Sequence, residues 1–121
     1  MNKKKILIVD DEPEFVNLVR LRLEANGYEV IDAPDGEEGL KKAEEGNPDI
    51  ILLDIMMPKK DGYTLMRELK YKETTKSIPI IVITAKPDMK DLFEIEGFKD
   101  YVVKPFEDED LLLRIKRALS K

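Results

Sequence analysis

The chain contains no cysteine and no histidine. Without cysteine there are no disulfides and no thiol chemistry. Without histidine there is no Ser-His triad, no imidazole-ligated zinc and no phosphohistidine carried by this chain itself. Long apolar runs are missing too. MNKKK at the start has the charge of a signal-peptide n-region, but the apolar stretch after it, Ile6 to Val9, is stopped by Asp10, and nothing approaches membrane-spanning length. A soluble cytoplasmic protein with no membrane attachment is the expectation. A surplus of positive charge is also lacking: 21 Lys and Arg stand against 26 Asp and Glu, a net charge of -5 and a pI of about 4.9, so no general attraction to nucleic acid or anionic membrane is expected. What remains for chemistry is a set of hard oxygen ligands.

At 121 residues and 42% hydrophobic, the chain has the size of one domain, expected over residues 1–121. Four short apolar runs, Ile6 to Val9, Ile50 to Leu53, Ile80 to Ile83 and Tyr101 to Val103, are rich in β-branched residues and lack polar alternation, the signature of strands buried on both faces. A fifth, Tyr28 to Ala33, alternates and is expected at an edge. Between and after them lie helix-period segments: Glu14 to Asn26, Glu37 to Glu45, Tyr63 to Lys70, Asp88 to Glu96 and Asp108 to Leu119. In the first, Phe15, Val19 and Leu23 form an i, i+4 row flanked by Leu18 and Val16; in the last, Leu112, Ile115 and Leu119 do so beside Leu111. Pro13 and Pro87 suit helix starts, Gly27, Gly46 and Gly97 suit helix ends, and Asp35-Gly36 and Asp61-Gly62 mark turns. Alternating strands and helices imply an α/β fold, (βα)5, with a doubly wound five-stranded parallel sheet and right-handed crossovers. The order adopted is the common flavodoxin-like one, 2-1-3-4-5. The chain stops at Lys121, directly after the fifth helix, and no second domain is expected.

The polar residues that interrupt these runs share an address. Asp10 and Asp11 end the first strand, Asp54 the third, Thr84 the fourth and Lys104 the fifth. In a parallel sheet all carboxyl ends lie on one side, and with strands 1 and 3 adjacent the acid pair meets Asp54. Crowded carboxylates raise one another's pKa, and a hard divalent cation relieves them; magnesium, which takes carboxylates, waters and a phosphate oxygen, fits better than zinc. Asp54 can then act as a nucleophile toward a phosphoryl group, with Lys104 supplying positive charge from the other side and Thr84 a hydroxyl to a phosphoryl oxygen. Singly, each residue has an ordinary use: an Asp after a strand caps or turns, a Lys is solvated, Tyr101 packs in the core, and DDEP opens a helix. The argument rests on their joint placement on one rim.

With those residues in place, ILIVDDEP at 6–13, LLDIMMPKKDG at 52–62, ITAK at 83–86 and DYVVKPF at 100–106 make the chain resemble, over essentially its whole length, the receiver domain of bacterial two-component response regulators, in a form like the single-domain chemotaxis regulators. The resemblance implies that Asp54 is the phosphorylated aspartate. It implies that Asp11, Asp54 and the backbone carbonyl of Met56 ligate magnesium, for which manganese can substitute, and that Asp10 acts on the metal through water. Lys104 then contacts the phosphoryl group, Thr84 and Tyr101 form a switch pair, and the Lys104–Pro105 peptide is cis. The implied function is phosphorelay signalling: Asp54 takes a phosphoryl group from a sensor histidine kinase or phosphotransfer protein, and a switch alters the face made by the fourth helix (88–96), fifth strand (101–103) and fifth helix (108–119), which an output protein reads. Such a protein catalyses only its own phosphorylation and dephosphorylation, makes no direct nucleic-acid contact, and is a monomer or a weak phosphorylation-dependent dimer.

Two features depart from the family pattern. Thr84 and Lys104 are two residues closer than usual, which implies a shortened fourth helix, and Phe98 follows Gly97 where a small residue is common. The alternatives are a receiver-like docking module that works without phosphorylation, and a flavodoxin-like electron carrier. The carrier would need a Ser/Thr/Gly-rich phosphate cradle after strand 1, where this chain has DDEPEF. A phosphatase of true turnover lacks its second acid, since Met56 stands two residues after Asp54.

Overall fold

A computed structural model describes residues 3–55, 62–84, 101–104 and 106–120. Over them the elements run β1 (Lys5–Val9), α1 (Pro13–Ala25), β2 (Glu29–Ala33), α2 (Gly36–Glu45), β3 (Ile50–Asp54), α3 (Gly62–Tyr71), β4 (Ile80–Thr84), β5 (Tyr101–Val103) and α4 (Asp108–Leu119). The expected helix at 88–96 and its punctuation at Pro87, Gly97 and Phe98 lie outside the described residues, as do Met56, Asp61 and the Lys104–Pro105 peptide. Among the described residues no helix is long and apolar enough to cross a membrane.

The five strands form one parallel sheet in the order β2-β1-β3-β4-β5. Side chains alternate across it with period two. Leu7, Val9, Ile51, Leu53 and Val82 point to one side, where Ala43 of α2 and Leu65, Met66 and Leu69 of α3 meet them. Ile6, Ile8, Ile50, Leu52, Ile81, Ile83 and Val102 point to the other, against Val16, Val19 and Leu23 of α1 and Leu111 and Ile115 of α4. Two apolar faces explain why strands 1, 3 and 4 read as unbroken hydrophobic runs. The alternating segment, β2, lies at the sheet edge as expected.

Some local expectations change. The buried row of α1 is Val16, Val19 and Leu23, while Leu18 is 56% exposed; a helix rotates 100° per residue, and identity alone does not say which of two adjacent apolar positions faces the sheet. In α4 the buried pair is Leu111 and Ile115, with Leu112 and Leu119 half-buried at its margin. Asp35-Gly36 is a helix start: Asp35 is the N-cap of α2, its carboxylate accepting from the Glu38 amide at 3.0 Å. Pro13 opens α1 as read.

Gly62 opens α3 where the chain returns to the end of β3. A Cβ there would lie 2.3 Å from the Asp54 carbonyl oxygen and 2.6 Å from the Ile55 Cα. The Gly62 amide donates to the Ile55 carbonyl at 3.2 Å, so the approach is held by a hydrogen bond that only a residue without a side chain can reach.

Candidate functional site

The register places the site. Val9 sits beside Leu53, so Asp10 and Asp54, one residue further along, emerge side by side at the carboxyl ends of β1 and β3. This is where the strand order reverses, β1 leading to β2 on one side and standing against β3 on the other, the position at which open α/β sheets bind ligands. Asp10 and Asp54 are 3% and 4% exposed. One carboxylate oxygen each from Asp10, Asp11, Glu12 and Asp54 lies within 4.8 Å of the others, the outer two residues buried and Asp11 and Glu12 exposed.

Those distances suit one small cation. Magnesium holds oxygens at about 2.0–2.1 Å, so opposite ligands stand about 4.2 Å apart, close to the span of this cluster. The donors are all carboxylate oxygens, the hard set that magnesium or manganese prefers and that zinc or copper does not. The residues present therefore fit a hard dication.

Lys104, directly after β5, reaches across to the same point. Its ammonium donates to Asp10 Oδ2 at 3.0 Å and Glu12 Oε1 at 2.9 Å, and lies 3.6 Å from Asp54 Oδ2. It also sits 4.0 Å above the centre of the Phe15 ring, which packs edge-on against Phe106 with ring centres 5.9 Å apart. Burial pushes the Asp10 carboxyl above the ordinary carboxylate range, and the Glu12 amide at 2.9 Å and the Lys104 ammonium oppose that only in part. For Lys104 burial acts to lower the pKa, but hydrogen bonds to Glu12 and Asp10 and the charges of Asp10 and Asp54 outweigh it and carry it above the ordinary lysine value.

The structure thus brings together Asp10, Asp11, Asp54 and Lys104. Thr84 is the last residue of β4, beside Val103 of β5, and Tyr101 is half-buried against the core face shared with α2 and α3. Glu12 and Phe15 belong to the site and were missed. Glu12 reads as a first-turn acid and Phe15 as a core position, and nothing local signals that a lysine 92 residues beyond Glu12 folds onto both.

A doubly wound parallel sheet with clustered carboxylates and a lysine at its switch point defines a class of α/β domains with a candidate cation site at the carboxyl ends of the strands. Residues 6–116 match the family model of the response regulator receiver domain, and the chain belongs to that family. It is 44% identical over 120 residues to the alkaline phosphatase synthesis transcriptional regulatory protein PhoP of Bacillus subtilis strain 168, an alignment covering 98% of this chain and 49% of that protein. The chain spans about half the length of the curated relatives it matches. Among solved structures, the receiver domain of a sensor histidine kinase from Pseudomonas aeruginosa PAO1, with a magnesium ion in its active-site cleft, superposes with a TM-score of 0.90 at 30% identity, covering 99% of this chain and 100% of that one. The response regulator TrrA of Thermotoga maritima, in complex with magnesium and beryllofluoride, gives 0.87 at 38% identity, covering 96% and 99%. Family membership sets the electron carrier aside.

Proposed function

We propose that Asp54 is a phosphoryl acceptor and that the chain works as a phosphorylation-controlled signalling domain. The observation that carries this reading is the buried Asp54 carboxylate in one cluster with Asp10 and Asp11, with the Lys104 ammonium 3.6 Å away. Asp11, Asp54 and the Met56 carbonyl would hold magnesium, with Asp10 acting through water. When bound, the ion supplies positive charge that lets a phosphoryl dianion approach a carboxylate.

In the transfer an Asp54 carboxylate oxygen attacks phosphorus and forms a new P–O bond. With a phosphohistidine donor the P–N bond breaks and its electron pair leaves on the imidazole nitrogen; with acetyl phosphate the bond from phosphorus to the bridging oxygen breaks and acetate leaves. Lys104 then meets a phosphoryl oxygen and offsets its charge. Thr84 and Tyr101 respond to the new dianion, and the change reaches a partner protein at the face that includes β5 and α4. The donor in this reading is a histidine kinase or phosphotransfer protein, consistent with the family.

Asp54→Asn should abolish phosphoryl incorporation from a phosphorylated kinase or from radiolabelled acetyl phosphate. Equal labelling of the variant and the wild type would rule out the assignment.

A further inference from the structure

Glu12 is the third acid of the DDE run, and its carboxylate makes the shortest contact with the cation of the site, 2.9 Å against 3.0 Å for Asp10 and 3.6 Å for Asp54. It stands at the N-cap of α1, yet its side chain makes no capping hydrogen bond to the helix. It is turned instead toward Lys104. The Lys104 side chain is only 15% exposed, held between Phe15 on one side and the two acids on the other. The ammonium therefore rests nearer Asp10 and Glu12 than the Asp54 carboxylate.

We propose that Glu12 is a positioning residue: before phosphoryl transfer its carboxylate occupies Lys104 in place of the phosphoryl oxygen, and transfer exchanges one anionic partner of Lys104 for the other. This rests on the reading of Asp54 as acceptor and Lys104 as its phosphoryl contact. Attack on phosphorus, with loss of acetate from acetyl phosphate, is favoured by a cation set against the negatively charged phosphoryl oxygens, and while Lys104 is shared with Glu12 part of its charge is engaged elsewhere. Glu12 itself is 62% exposed, so its hold is that of a partly solvated ion pair, strong enough to tune a rate and too weak to block it. Glu12→Gln keeps the shape and removes the charge, and should raise the labelling rate at saturating acetyl phosphate by roughly two- to fivefold.

The test is a double-mutant cycle with a separate spectroscopic readout. Labelling by acetyl phosphate in magnesium is followed for the wild type, Glu12→Gln, Lys104→Ala and the double variant, with Glu14→Gln as the control on the same helix turn. The expected result is an acceleration in the maximal rate that disappears in the Lys104→Ala background. In the metal-free protein, the 13Cε resonance of Lys104 should move in Glu12→Gln and stay in place in Glu14→Gln. An unchanged rate in Glu12→Gln, the same acceleration with and without Lys104, or an unmoved Lys104 resonance would each overturn the proposal. Lys104→Ala labelled as fast as the wild type would instead sink the underlying role of Lys104, whatever Glu12 does.

Discussion

Asp10 and Lys104 share a hydrogen bond, and burial acts on the two in opposite senses. Asp10 loses solvation, and its carboxyl pKa is raised despite two hydrogen bonds. A folded-state pKa above the unfolded one means that this group favours folding at pH below the ordinary carboxylate value, and that this contribution is lost as the pH rises through the raised value. At neutral pH the Asp10 charge therefore opposes folding. In the presence of chelator, Asp10→Asn should be more stable than wild type near neutral pH, and the gain should vanish on acidification through the carboxylate range; urea midpoints across that range would show it, and a destabilised variant at neutral pH would contradict it. The pairing of Asp10 with Asp54 could be read from the sequence, because each directly follows or ends a hydrophobic run and parallel strands bring their ends together. The roles of Glu12 and Phe15 could not, because both arise from where the Lys104 side chain lands.

The loops that carry the site depend on how the elements begin and end. β3 ends on Asp54 itself, and α3 starts at Gly62 against the Asp54 carbonyl. Gly62→Ala would drive a methyl group into rigid backbone at Asp54 and Ile55, and an overpacked position of this kind costs about 1–3 kcal/mol. Chemical denaturation should report a loss of that size; a neutral effect would mean that the start of α3 shifts without penalty. The Asp-Gly spelling at 61–62 reads as a turn and gives no hint of this contact, since a close approach is a property of two segments. Helix faces show the same limit. Periodicity locates α1 and α4, but Val16 against Leu18, and Leu111 against Leu112, are decided by how each helix lies on the sheet.

The domain as a unit carries a cost for its function, because it gathers four acids at one rim of a protein with net charge -5. A ligand that binds only the folded state offsets such a cost by mass action, about 2.7 kcal/mol when free magnesium is 100 times Kd. Calorimetry should find Tm rising with magnesium in the wild type and flat in Asp11→Asn; equal rises would place the ion elsewhere. The alternation of β-branched runs with helical periods was sufficient for a parallel α/β sheet, since strands buried on both faces and short crossovers leave few other arrangements. The chemical character of the rim was equally explicit, because only carboxylates, one hydroxyl and one lysine interrupt the apolar strand ends. Distances were not. That the Lys104 ammonium rests closer to Glu12 than to Asp54, that Phe15 lies beneath it and that α3 touches the Asp54 backbone follow from packing between segments far apart in the chain, and side-chain reach across a sheet edge has no local signature in the residues that make it.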